Sequence, residues 1–168
     1  AAEKLNPGSV LDLGSGTGAS YSDLKNFDVT ALDPDEKMLS LNNFKKKVVG
    51  RGEELPFEEN SFDNVLCCFV WRNMSDTEKA LSEVYRVLKP GGKFILLDMT
   101  RPKNFFLKLL HKIGTFALLH FVGFITFNLK EYKFLYKSLD FYPQPEDHLT
   151  KDKYENLLIH RMGLFDFV

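Results

Sequence analysis

The apolar run Val10-Leu11-Asp12-Leu13 passes directly into Gly14-Ser15-Gly16-Thr17-Gly18. A strand ending in alternate glycines must turn sharply, because glycine adopts positive φ at no steric cost. Its free N–H groups can then meet an anion or a ligand at close range. Four more β-type runs follow. Val29–Leu32 reads as a second strand and Lys47–Val49 as a weak third. Asn64–Phe69 is a nearly continuous apolar run, as expected of a strand covered on both faces. Phe94–Leu97 is another buried strand.

Helical patterns lie between these runs. Ala19–Phe27 is predicted as one helix and Pro34–Phe44 as a second, with Pro34 in the first turn, where proline is tolerated. Ser75-Asp76-Thr77-Glu78 has capping-box form, and Ala80, Leu81, Val84, Tyr85 and Leu88 follow at helical spacing. Lys89-Pro90-Gly91-Gly92 stops that helix. The alternation predicts an α/β fold: a mostly parallel central sheet with helices on both faces. Ligands of such sheets sit beyond the carboxyl ends of the strands. The residues to weigh are therefore 12–18, 33–34, 50–54, 68–73 and 98–102.

Asp33, at the end of the second strand, can accept both hydroxyls of a ribose. With the glycine turn it points to a nucleoside-containing cofactor. Gly14-x-Gly16-x-x-Ala19 also fits a dinucleotide pattern. Asp12 discriminates between the two: a carboxylate is unhelpful beside a pyrophosphate and suits a ligand with an ammonium and a sulfonium. A tight turn without a ligand is the bland alternative.

With these residues in place the sequence resembles class I S-adenosylmethionine-dependent methyltransferases. Val10–Gly18 resembles their first motif. The likeness continues through Ala31-Leu-Asp-Pro34, Leu55–Asp63 and Arg86–Lys93. Phe69–Ala80, with its Arg72-Asn73 pair, and Leu97–Pro102 are similar to the branch that C-methylates ubiquinone and menaquinone precursors. Glu131–Ser138 is similar to that branch's segment near the substrate. The resemblance implies a Rossmann-like class I methyltransferase fold with a helical cap near the C-terminus. It implies S-adenosyl-L-methionine as cofactor, S-adenosyl-L-homocysteine as product, and a prenylated quinol as acceptor.

Roles carry over residue by residue. Asp12, Gly14, Ser15, Gly16 and Thr17 would hold the methionine part. Asp33 would bind the ribose, with Pro34 and Met38 flanking the adenine. Arg51-Gly52-Glu53 occupies the adenine edge. The family usually has Asp or Asn at Arg51, and arginine cannot accept a hydrogen bond. Either Glu53 takes that role or the Gly52 backbone alone reads the base. Cys68 would pack against the cofactor, although both Cys67 and Cys68 also read simply as core thiols.

On the substrate side, the resemblance implies that Phe69 would lie beside the acceptor. Arg72 would stabilise a phenolate or position a water, and Asn73 would hold a ring oxygen. Asp98 is the alternative base. Tyr132 and Tyr136, four apart, line the acceptor pocket or belong to the core. Each has a structural alternative: a surface ion pair for Arg72, a turn for Asn73, a strand cap for Asp98. The four histidines show no ligand spacing, and no metal is expected.

The expected domain is single, residues 1–168. It divides into a cofactor-binding half at 1–102, a helical cap at 103–149 that chooses the substrate, and a closing helix and strand at 150–168. In the last part, Thr150 would cap a helix running to about Arg161. Leu164–Val168 would be a strand with which the sheet resumes. The family has helices before the first strand and two final strands, whereas nine residues precede Val10 here. A partner subunit, as in a homodimer, supplies these parts, or they are absent from this chain, or the site is unusually open.

Composition narrows the partners. The net charge of -1 argues against a nucleic-acid binder. Two adjacent cysteines make no disulfide framework, which favours a reducing, cytoplasmic setting. Phenylalanine is in surplus at 16 residues, and ten of them follow residue 104. The stretch 103–127 combines a basic lead-in (Lys103, Lys108, Lys112), preceded by Arg101, with an apolar body. Its charge-free part, between Lys112 and Lys130, falls short of the roughly 20 apolar residues of a bilayer span. Three readings compete: a cap helix packed on the sheet, the wall of a prenyl channel, or peripheral contact with a membrane. The rival functions are methylation of a small soluble acceptor, a non-catalytic cofactor-binding module and, more distantly, a nicotinamide dehydrogenase.

Overall fold

A computed structural model describes residues 2–100, 102, 104–127, 129–141 and 166–167. The chain divides into two compact units, 1–97 and 98–168.

The first unit is a five-stranded sheet. Its strands are β1 (Ser9–Leu13), β2 (Asp28–Asp33), β3 (Lys46–Val49), β4 (Phe62–Cys68) and β5 (Leu88–Leu97). The order is β3-β2-β1-β4-β5, and every neighbouring pair is parallel. β1 therefore lies at the switch point, with β2 on one side and β4 on the other. Ligands of open sheets with this order bind at that point, beyond the carboxyl ends of the strands. The continuous apolar runs are explained by burial on both faces. Val10, Leu11 and Leu13 are buried, as are Val65, Leu66 and Cys67 on β4. On one face Val10, Ala31 and Leu66 meet Leu24, Leu39 and Phe44 in a single cluster.

The helices of this unit are shorter than their sequence patterns. α1 covers only Tyr21–Leu24 and α2 only Glu36–Ser40. Asp35 caps α2, its carboxylate accepting from the N–H groups of Lys37 and Met38. α2 stops before Asn42, whose side chain is committed elsewhere. α3 spans Thr77–Val87 and buries Ala80, Leu81, Val84 and Val87. Its cap is Asp76, which accepts from Lys79 N at 2.9 Å, one residue later than the capping box implied. Tyr85, expected on the apolar stripe, is exposed, and Leu88 opens β5 instead of closing the helix. Glu83 and Arg86 hold the segment ahead of β4. Leu55 N donates to Glu83, and Arg86 donates to the carbonyls of Leu55 and Phe57.

The second unit holds a two-stranded antiparallel ladder, β6 (Met99–Thr100) with β7 (Asp166–Phe167), and a helical hairpin. Of the expected closing strand Leu164–Val168, the described residues Asp166 and Phe167 pair with β6 and not with the five-stranded sheet. The hairpin consists of α4 (Phe105–Ile125) and α5 (Leu129–Phe141). Asn104 caps α4 by accepting from Phe106 N and Leu107 N. α4 starts eight residues ahead of the charge-free stretch. At 21 residues it is, by length and composition, long and apolar enough to cross a bilayer, which corrects the shorter estimate. Pro143, Pro145 and the expected helix from Thr150 to Arg161 lie outside the described residues.

Candidate functional site

The glycine turn after β1 is bound back to the sheet by its own backbone. Gly14 N and Ser15 N both donate to Leu32 O, at 2.8 and 3.0 Å. Gly14 has φ +74° and Gly16 φ +51°. The two positions differ in surroundings. A Cβ on Gly14 would lie 2.5 Å from a methyl of Val70, so glycine is required for packing. A Cβ on Gly16 would meet only Met38 Sδ, at 3.9 Å. The turn is therefore closed at Gly14 and open at Gly16, on the side where a ligand would lie.

Asp33 closes β2 and is buried. Its Oδ2 accepts from Gly16 N and its Oδ1 from Asp35 N, both at 2.9 Å. Two backbone donors thus fix the carboxylate while leaving lone pairs on both oxygens. One side chain ties the glycine turn to the start of α2, and this geometry suits paired hydroxyls.

Asp12 points to the same face of β1 as Val10, since strand residues alternate. That face is covered by α1, and Ser20 Oγ, just before α1, donates to Asp12 Oδ2 at 2.5 Å. Only 2% of Asp12 is exposed. Burial pushes its carboxyl up to about 6 against the Ser20 hydrogen bond, and the Asp33 charge adds to the rise. A cationic ligand beside it would offset that burial and favour the ionised form.

Asn42 is the residue that sequence reasoning missed. It is buried, and its Nδ2 donates to Ser15 Oγ (3.2 Å) and to Gly16 O (3.1 Å). Its Oδ1 accepts from Phe44 N. A Cβ on Gly18 would collide with it at 2.7 Å. The only signal was an amide at the end of a predicted helix, where such side chains compete for backbone groups. Ser20 was missed in the same way. Thr17 is exposed on the turn.

At the expected adenine edge, Pro34 and Met38 are exposed and follow Asp33. Arg51 is exposed and bridges to Glu54 through its backbone. Gly52 is buried, with Met74 so close that a Cβ would come within 2.9 Å of its methyl. Glu53 is tied to the entry of α3: its Oε1 accepts from Ser75 N and Ser75 Oγ, both at 2.8 Å. Partial burial works against its charge. The hydrogen bonds from Ser75, its own backbone and Asp76 nevertheless hold the carboxyl below the ordinary glutamate value.

At the end of β4, Cys68 is partly buried against the core cluster. Phe69 turns with φ +61°, and its N–H donates to Leu97 O at 2.7 Å. The 3-10 turn Trp71–Asn73 follows. Trp71 is fully buried and packs on Phe94 at 5.5 Å. It anchors a turn that carries a partly buried Arg72 and an exposed Asn73. The first unit thus gathers the glycine turn, Asp12, Asp33, residues 51–53 and the Arg72-Asn73 turn at the carboxyl edge of one sheet. Asp98, Tyr132 and Tyr136 belong to the second unit. Asp98 is fully buried there. Tyr136 meets Phe116 edge-on at 5.6 Å, and Tyr132 lies beside Gly123. Both tyrosines pack against α4.

The sheet order, the left-handed glycine turn and the acid ending β2 define a Rossmann-like methyltransferase fold. Solved structures agree. The YcgJ protein of Bacillus subtilis matches with a TM-score of 0.54 and 30% identity, over 61% of this chain and 49% of that one. A SAM-dependent methyltransferase from Thermotoga maritima matches with a TM-score of 0.55 and 28% identity, over 67% and 53%. Residues 1–151 match the ubiE/COQ5 methyltransferase family, and the chain belongs to that family. The ubiquinone/menaquinone biosynthesis C-methyltransferase of Rickettsia felis is 36% identical over 157 residues, 82% of this chain and 63% of that protein. The Rickettsia typhi counterpart is 37% identical over 160 residues, 83% and 64% respectively. This chain spans less than two thirds of the length of either.

Proposed function

We propose that this chain is an S-adenosyl-L-methionine-dependent methyltransferase that C-methylates a prenylated quinol in quinone biosynthesis. The observation that carries the reading is Asp33. Its carboxylate is held by Gly16 N and Asp35 N beside an open, left-handed glycine turn. Such a site suits a ribose next to a methionine tail better than a pyrophosphate, because Asp12 adds a second buried carboxylate. The bound cofactor would supply a methyl group on a sulfonium. Asp12 and the backbone of Gly14, Ser15, Gly16 and Thr17 would hold the methionine end. Asp33 would take the ribose, and Pro34, Met38 and Cys68 would pack around it. With Glu53 committed to Ser75, the adenine edge falls to the backbone around Gly52, and exposed Arg51 leaves that reading intact.

The chain's part in catalysis is alignment, worth up to about 7–11 kcal/mol in favourable cases. A quinol ring carbon becomes nucleophilic when a ring hydroxyl loses its proton. Arg72 would stabilise the phenolate and Asn73 would hold a ring oxygen. Asp98 is the alternative base. Phe69 would flank the acceptor, and the 103–149 segment, with Tyr132 and Tyr136, would select the substrate. A prenylated acceptor would call for a cytoplasmic enzyme that works at a membrane surface. A homodimer is compatible with this reading.

The test is methyl transfer to demethylmenaquinol in detergent, with calorimetry on S-adenosylmethionine and on NAD. Turnover is expected, with Arg72→Ala lowering it while cofactor affinity stays constant. Tight NAD binding alone would overturn the proposal. Turnover only on a water-soluble acceptor would move the function to a small-molecule enzyme. Cofactor binding without any turnover would leave a non-catalytic module.

A further inference from the structure

Among the described residues, exposed large apolar side chains are concentrated on one side of α4. Phe106 is 77% exposed, Phe124 70%, Phe121 63% and Ile113 62%. At 100° per residue these four fall with Leu109, Leu110 and Leu118 in one arc of about 180°. That arc contains no charged residue, and α4 as a whole has no Asp or Glu. The opposite arc carries buried His111, Thr115 and Gly123 and both lysines, Lys108 and Lys112. α5 lies along that side. Lys112 pairs with Asp140 at 3.2 Å and Phe116 meets Tyr136, and a Cβ on Gly123 would come within 3.2 Å of Leu129 and Tyr132. Exposed Lys133 and Lys137 are also on α5.

Apolar and basic groups are thus segregated across the hairpin. Large exposed apolar patches mark interaction sites. An apolar face backed by lysines is the pattern of a helix lying in a membrane interface. A transmembrane course for α4 conflicts with its partner: α5 runs back along it, and the α5 charges would be drawn into hydrocarbon at high cost.

We propose that the uncharged face of α4 docks on an anionic bilayer, with α4 lying in the plane of the interface and α5 on its aqueous side. Its purpose, though not its physics, rests on the reading of a membrane-borne acceptor. The phenylalanines sink among the acyl chains, and the lysines of the hairpin meet lipid phosphates. The docked hairpin then holds the chain where a prenylated quinol is concentrated.

The experiment is flotation of the full chain with phosphatidylcholine vesicles, with and without phosphatidylglycerol. Binding is expected to both, and to be stronger with the anionic lipid. Phe106→Ser with Phe121→Glu should lower the partition coefficient about a hundredfold, as two phenylalanines leave lipid. Lys133→Glu with Lys137→Glu, outside the apolar arc, should remove about tenfold or more of the anionic preference and leave zwitterionic binding unchanged. Alkaline carbonate should release the bound chain. The proposal is overturned if wild type does not float or if the phenylalanine variant floats equally well. It is overturned too by resistance to carbonate, which indicates a span. A dimer that the phenylalanine variant dissociates, without vesicle binding, indicates a second copy on that face and also overturns it. Flotation without turnover on demethylmenaquinol would remove the acceptor and leave the docking surface standing. Turnover on a short-tailed quinol without flotation would do the reverse.

Discussion

β1 and α4 are both apolar, and they use that property in opposite ways. β1 hides every apolar side chain and builds its polar groups into the sheet edge. Asp12 is satisfied by Ser20 and the turn by Leu32 O. α4 leaves most of its apolar side chains in the open and keeps its few polar ones on the side packed by α5. Burial on both faces suits the first region to a specific ligand, because each of these polar groups is held in place by a partner within the sheet edge. Exposure makes the second specific for a surface. Substitutions in one region should therefore leave the other's behaviour untouched.

The largest expected effect is at Asp33. Asp33→Ala leaves the N–H groups of Gly16 and Asp35 without an acceptor and removes the proposed ribose contact. A desolvated orphan donor costs about 1–3 kcal/mol. S-adenosylmethionine binding should vanish in calorimetry, while vesicle flotation persists. Retained binding would break the contrast at its strongest point.

The glycines sharpen the contrast within the turn. Gly14→Ala places a methyl into Val70 at positive φ and should cost about 3 kcal/mol or more of stability. Gly16→Ala has space for its methyl and should cost about 1 kcal/mol for the left-handed backbone alone. Its methyl projects to the open side, so its main effect should be on cofactor affinity. Urea melts and calorimetry separate the two. Equal stability losses would mean that the turn is not closed at one glycine and open at the other.

Asp12 gives a signed pH dependence. Its folded carboxyl titrates at about 6, above the ordinary 3.8. Between those values the folded chain binds the extra proton, so stability falls as pH rises from about 4 to about 6. The ionised carboxylate then costs about 3 kcal/mol at neutral pH, at 1.36 kcal/mol per unit. Asp12→Asn should raise the melting temperature of the ligand-free chain at pH 7 and flatten that slope. Cofactor affinity should fall. A variant less stable at pH 7 would show that the Ser20 contact outweighs burial.

What the sequence disclosed depended on how local each signal was. Val10–Gly18, Asp33 and the stop at Lys89–Gly92 are legible because neighbouring residues dictate them. α1 and α2 were overestimated because Ser20 and Asn42 spend their side chains on residues eight and 26 positions away. The capping box failed by one residue because Ser75 is claimed by Glu53, 22 positions back. α4 was judged too short because charge was read as an end. Lys108 and Lys112 are instead accommodated on the side packed by α5, and Asp140 supplies the counter-charge for Lys112. In each case a distant partner decided the outcome, and spacing alone does not reveal such partners.

The smallest expected effect has the opposite sign from the rest. Gly114 lies in the middle of α4, exposed, and a Cβ there would meet nothing within 4 Å. Gly114→Ala should therefore stabilise the helix by about 0.5–1 kcal/mol through backbone entropy. It adds a methyl to the arc that faces lipid, so vesicle affinity should stay equal or rise slightly. Cofactor binding should not move. If instead the alanine lowers vesicle affinity without unfolding the helix, a bend or close approach at Gly114 is part of how α4 meets its surface. The uncharged arc would then need the glycine as well as its phenylalanines.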